Sequence, residues 1–126
     1  MPIKKAMDVI MQIIRNDWES FQQTTKLTIT DIKKLLDLCL DTCYFMWESE
    51  CYTIKNSGPI GLSLMVVIAE GYLQFVENAA IVNTVNNRYA PKTFYRYVDD
   101  SHARFERAED VEKFLEELNS QDSIYC

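Results

Sequence analysis

The chain has 126 residues, 48% of them hydrophobic and 25% charged, with a formal net charge of -6. That length suits about one domain, and so apolar a composition excludes an intrinsically disordered chain. The acidic balance argues against a protein that grips nucleic acid through its own basic surface, because phosphate binding needs clustered Lys and Arg.

Only three Gly and three Pro leave little room for linkers, and neither an internal repeat nor a low-complexity segment is visible. The N-terminus lacks the long apolar core of a secretory leader. The most apolar run, 62–69, is too short to span a bilayer and is followed by Glu70, Gln74 and Glu77. A cytoplasmic or nuclear protein that makes no use of a membrane is expected. The cysteines are Cys39, Cys43, Cys51 and Cys126, with no CxxC pair. They read as buried free thiols in a reducing compartment. The functional alternative is a Cys3His zinc site from Cys39, Cys43, Cys51 and the sole histidine, His102, although the spacing fits no zinc-finger pattern.

Taken in order, residues 3–22 carry Met7, Ile10, Ile14, Trp18 and Phe21 at helical spacing. Thr30 is placed to cap a second helix, with Asp31 in the first turn where the helix dipole favours an acid. Its apolar stripe is Ile32, Leu35, Leu36, Cys39, Leu40 and Cys43, ending near 41–43. Two short aromatic or β-branched runs, Tyr44–Trp47 and 51–54, flank Glu48, Ser49 and Glu50 and predict a hairpin. Asn56, Ser57, Gly58, Pro59 and Gly61 form the strongest breaker. The pattern over 60–86 predicts a helix of about 40 Å, with Leu64, Val67, Ile68, Tyr72, Phe75, Val76, Ala79 and Val82 as its apolar positions. Gly71 inside it lowers helix stability unless something packs closely there.

After a loop at 88–92 comes TFYRYVDDSHARF, residues 93–105. Phe94, Tyr95, Tyr97 and Val98 predict one strand, 102–105 a second, and Asp99 with Asp100 the tight turn between them. Residues 108–119 predict a last helix, with Val111, Phe114, Leu115 and Leu118 inward and a solvated acidic face outward. Residues 123–126 read as the start of a further strand.

Two stretches can carry chemistry. Adjacent carboxylates at a hairpin tip can hold a divalent cation, since Mg2+ takes hard oxygen ligands and commonly only one or two carboxylates; they can equally be only a turn. Glycines ahead of a helix, Gly58 and Gly61, let a ligand approach the free N–H groups at the helix start; they can equally be only a loop.

The order of these parts resembles the palm of reverse transcriptases, closest to the Penelope-like and related retroelement enzymes. YVDD, Tyr97 to Asp100, is similar to the family's catalytic hairpin. GPIGLSLMVVIAE, 58–70, resembles its Gly-containing turn and following helix, and FERAEDVEKFLEELN, 105–119, the helix after the hairpin. Phe45 and Tyr52 stand where the family has an aromatic hairpin. Ile3, after Pro2, resembles the residues that follow the first catalytic strand. The likeness runs along most of the chain, strongest at 52–70 and 94–119.

The resemblance implies an α+β fold, a partial polymerase palm whose small antiparallel sheet of hairpins is packed by helices. It implies one partial palm domain over 1–126, with the first catalytic strand, the fingers and the thumb absent. Asp99 and Asp100 are then the catalytic, metal-binding carboxylates of a two-Mg2+ site. Tyr97 and Val98 lie near the primer end, and Gly58 and Gly61 line the nucleotide and template side. The parent chemistry is RNA-directed DNA synthesis, with RNA template, DNA primer and dNTP as partners. Departures stand at Ile54 and Lys55, where the family usually has a Gln, and at 62–66, where it has a Ser-Pro-rich run. With only two adjacent aspartates, the chain is expected to be inactive in isolation. The alternative is a non-catalytic interaction module that self-associates through an exposed sheet edge. A small RNA-binding sheet stacking bases on Phe94, Tyr95 and Tyr97 is a third reading, which the net charge opposes.

Overall fold

The computed structural model describes residues 2–54 and 61–121. Gly58 and the predicted terminal strand at 123–126 lie outside them. In chain order the elements are α1 (Ile3–Asn16), α2 (Trp18–Phe21), α3 (Ile29–Asp41), β1 (Tyr44–Trp47), β2 (Glu50–Thr53), α4 (Ser63–Asn86), β3 (Thr93–Tyr97), β4 (Asp100–Arg104) and α5 (Glu109–Gln121). The fold is α+β, with two separate two-stranded antiparallel sheets, β1–β2 and β3–β4. Two compact units divide the chain, Met1–Tyr72 and Leu73–Cys126, and α4 contributes to both.

In the first unit the predicted opening helix is broken at Asp17 into α1 and α2. Its deeply buried residues are Ala6, Met7, Val9 and Met11, while Ile10 and Ile14 are half-buried. Trp18 and Phe21 stack with ring centroids 6.0 Å apart. Thr28, not Thr30, caps α3. Its hydroxyl accepts from the Asp31 N–H at 3.2 Å, and its own N–H donates to the Asp31 carboxylate at 3.0 Å. This reciprocal box satisfies two backbone donors at once, so Asp31 is the third residue of the helix and not its first.

The predicted first hairpin forms as β1–β2, with Phe45 opposite Tyr52 and their rings stacked at 5.6 Å. Glu48 and Ser49 turn the chain with φ of 50° and 68°, the pair of positive values that a type I′ turn needs. Every residue of both strands is exposed. Gly61 has φ of 92° just ahead of α4. At Gly71, a Cβ would lie 2.6 Å from Ile10 Cδ1, so the close neighbour that this glycine requires is α1.

In the second unit the core is Ala80 of α4 with Phe114 and Leu118 of α5, joined by the half-buried Ile81, Phe94 and Phe105. Phe94 meets Phe114 edge-on at 5.8 Å, and Phe105 tilts against the same ring at 5.5 Å; such aromatic geometries add stability beyond area burial. Strand alternation points Phe94 and Arg96 inward and Tyr95 and Tyr97 outward. Within α5, Asp110, Phe114 and Leu118 are buried, whereas Val111 and Leu115 remain largely exposed, which corrects the predicted inward set. At its end α4 closes as a Schellman motif. Tyr89 N–H donates to Thr84 O, Arg88 N–H donates to Val85 O, and Arg88 takes φ of 64°.

By length and composition, α4 is long and apolar enough to cross a membrane, with mean hydropathy 1.3. The 62–69 run therefore understated the apolar length that the helix assembles. Along it Ile68, Tyr72, Val76, Glu77, Ala80 and Thr84 are buried, and 28% of its most apolar window is buried.

Candidate functional site

The β3–β4 hairpin is held by a register of Phe94 to Ala103, Tyr95 to His102, Arg96 to Ser101 and Tyr97 to Asp100. The two-residue turn is therefore Val98–Asp99, one position earlier than the sequence suggests. Asp99 stands at the tip and Asp100 begins the returning strand. Tyr97, Val98, Asp99 and Asp100 are all exposed, and the fold brings these four into one tip. By strand parity Asp100 and Tyr97 share the outward face with Tyr95 and His102, opposite the face that carries Phe94 into the core. Gly61 belongs to the first unit and the four tip residues to the second.

Val98 is the unusual residue. Its φ is 56°, a left-handed conformation rare for a β-branched side chain. Its carbonyl is hydrogen-bonded by Arg96. The Arg96 Nη1 donates to the Val98 carbonyl at 3.0 Å, while its Nε donates to the Glu77 carboxylate of α4. Only 5% of the Arg96 side chain and 9% of the Glu77 side chain are exposed. So well buried an ion pair persists only with good geometry and further hydrogen bonds, because both charges have left water.

Arg96 and Glu77 were not among the residues expected to matter. The signal was present: an Arg at an inward position of an aromatic strand, and a Glu within a nearly all-apolar helix. Both demand a buried partner, but a separation of 19 residues left the partner unspecified.

Two adjacent exposed carboxylates suit the hard-oxygen preference of Mg2+. They can supply one ion's protein ligands, the rest of its shell being water or phosphate oxygens. Among the described residues no group of three or more His, Cys, Asp or Glu comes together in a way that could hold a metal. A second metal would therefore need an acid from elsewhere, and no described cluster corresponds to the Cys3His alternative. Cys39 and Cys51 are exposed and Cys43 is half-buried, which corrects the expectation of buried thiols; the Cys43 thiol donates to the Cys39 carbonyl at 3.0 Å.

A second concavity, of about 670 Å³, lies in the first unit between α1 and α3. Lys4, Asp8, Lys33, Asp37 and Asp41 line it, and Lys33 already pairs with Asp37 at 2.9 Å. Two lysines and three aspartates leave a mixed-charge cleft with no single-sign focus.

No known protein-family model matches the chain, and no curated protein or solved structure matches it either.

Proposed function

We propose that the second unit carries a divalent-cation hairpin of the reverse-transcriptase kind, whose parent chemistry is metal-dependent, template-directed nucleotidyl transfer. The observation that supports this reading is the tip itself. A two-residue turn with a strained Val98 sets two consecutive carboxylates in the open, with Tyr97 across from Asp100. Strain at a β-branched residue of this kind concentrates at functional sites. Asp99 and Asp100 are the metal-binding acids, Tyr97 and Val98 the groups near a primer end, and Gly58 and Gly61 the nucleotide- and template-side residues. RNA template, DNA primer and dNTP are the partners of that chemistry.

Two-metal displacement places its ions about 3.5–4 Å apart to stabilise both the attacking and leaving oxygens. One adjacent pair of acids does not hold two ions in that arrangement. The chain alone is therefore expected to bind a divalent cation without extending a primer. Primer extension with Mg2+ or Mn2+ tests this: background incorporation is the expected result. Robust synthesis abolished by Asp99→Ala would show that the site is complete.

A specific observation also favours the reading as an interaction module. The β1–β2 hairpin exposes Tyr44, Phe45, Met46 and Trp47 together, and among the described residues each sheet has unpaired strand edges that can template pairing with another chain. Unchanged Mn2+ affinity in Asp99→Asn, together with a stable dimer in solution, would select this reading over the first.

A further inference from the structure

We infer that Arg96, anchored by Glu77, is a positioning residue. It holds the Val98–Asp99 peptide in the left-handed turn and so sets the divalent-cation affinity of Asp99 and Asp100. The cation part of this inference rests on the reading of the tip given above; the conformational part stands without it.

The argument begins with the peptide group that Arg96 holds. The carbonyl accepting from Arg96 Nη1 belongs to Val98, and that carbonyl is part of the peptide plane joining Val98 to Asp99. The loop has only those two residues between the paired Tyr97 and Asp100. Fixing this one plane therefore fixes where the backbone of Asp99 leaves the turn. A β-branched residue at φ of 56° does not hold that geometry by preference. The Arg96 guanidinium, fixed in turn by the Glu77 carboxylate, supplies the restraint from the inner face of the sheet. A planar guanidinium can meet a carboxylate and a carbonyl at once through separate N–H groups, which a lysine ammonium does with far less orientational control.

The second part is charge. A cation placed three residues from Asp99 and four from Asp100 would, if unanchored, be a competitor for their carboxylates. Glu77 occupies the Arg96 Nε, which keeps the guanidinium beneath the sheet and leaves both aspartates open to solvent. Removing the Glu77 charge while keeping its shape therefore loosens the restraint on the guanidinium. Arg96 would then act on metal affinity through the backbone of the turn and not through a bond to a metal ligand.

The test uses the full chain, isotopically labelled, with Mn2+ as the probe. Two quantities are read: Mn2+ affinity from paramagnetic broadening of the Asp99 and Asp100 amides, and the backbone coupling of Val98, which reports its φ. Glu77→Gln and Arg96→Lys are expected to weaken Mn2+ binding roughly tenfold and to shift the Val98 coupling away from its left-handed value. Asp99→Asn and Asp100→Asn are expected to weaken binding with the Val98 coupling unchanged. Circular dichroism checks that each variant is folded. Arg96→Lys is chosen over Arg96→Ala because truncation would strand a buried carboxylate, and should the lysine variant unfold, the isosteric Glu77→Gln carries the test. If the aspartate variants lose Mn2+ while Glu77→Gln and Arg96→Lys keep both affinity and coupling, the positioning role is overturned. If the aspartate variants bind Mn2+ as the parent does, the metal reading and the cation part fall together, and the Val98 coupling alone decides the conformational part.

Discussion

At the scale of single residues, backbone conformation and capping are the features that respond most directly to substitution. Val98 is largely exposed, so its replacement removes little packing, while its left-handed φ works against a branched Cβ. Val98→Asn is expected to stabilise the second unit by about 1 kcal/mol, since Asn visits this region readily and a left-handed L-residue costs about 1–2 kcal/mol. Urea denaturation measures it, and a midpoint equal to or below the parent's would mean the turn is not strained. The Thr28–Asp31 box gives a pH signature. The backbone N–H of Thr28, then its hydroxyl, hold the Asp31 carboxyl below its ordinary value of 3.8. A group whose folded value is depressed contributes stability above the unfolded value and loses it as pH falls through the folded one. The α3 helix should therefore fray below about pH 3.8, and Asp31→Asn should flatten that dependence in amide exchange of the first helical turn. Lys33 has the opposite sign: the hydrogen bond and charge of Asp37 raise it above 10.5, so its contribution fades only in strong alkali.

At the scale of elements, what could be read from the sequence depended on how far apart the deciding partners lie. Both hairpins, the long helix and the last helix follow from local period and turn chemistry, and the structure contains them. Boundaries moved where a short-range rule competed with a neighbouring one. Thr30 beside Asp31 resembled a cap, but the capping box needs a spacing of three, which Thr28 provides. Asp99 and Asp100 resembled the turn because Asp tolerates bent backbone better than Val; the observed register instead pairs Phe94 with Ala103 and points Phe94 and Arg96 inward. The sequence could show candidate acids but not the Arg96–Glu77 pair beneath them, because a buried partnership across two elements has no local period. Gly71 was legible only as a demand for a close neighbour, and the neighbour is Ile10 of α1. Because the atom approached is the far end of a flexible side chain, Gly71→Ala is expected to fall within about 1 kcal/mol of neutral, its helix propensity gain of about 0.8–1.0 kcal/mol offsetting the shift of Ile10. Gly71→Leu cannot be absorbed by one methyl and should destabilise by about 1–3 kcal/mol through overpacking. Thermal unfolding of the two variants separates these outcomes; equal melting temperatures would show that α1 and α4 are not closely apposed at this point.

At the scale of the whole molecule, the notable quantity is the apolar surface left open. Of the most apolar window of α4 only 28% is buried, and Val66, Val67, Phe75, Val82 and Val85 remain exposed along that helix. The β1–β2 hairpin adds Trp47, 64% exposed, beside Tyr44, Phe45 and Met46. Large exposed apolar side chains clustered on one element mark an interaction surface, and the four consecutive residues of β1 are such a cluster. A second copy of the chain is the simplest occupant, because an unpaired strand edge is complementary to its own duplicate. Opposing this is the net charge of -6 on each copy, which repels at long range and is screened as ionic strength rises. The chain is therefore expected to self-associate reversibly, and more tightly in high salt than in low salt, the reverse of an association held by ion pairs. Sedimentation velocity over a concentration series at two ionic strengths measures this. Phe45→Lys and Trp47→Lys should shift the equilibrium toward monomer while leaving the second unit's Val98 coupling untouched. A monomer at every concentration and salt level would mean that the exposed aromatics are not an interface between copies, and the interaction-module reading would lose its self-association arm.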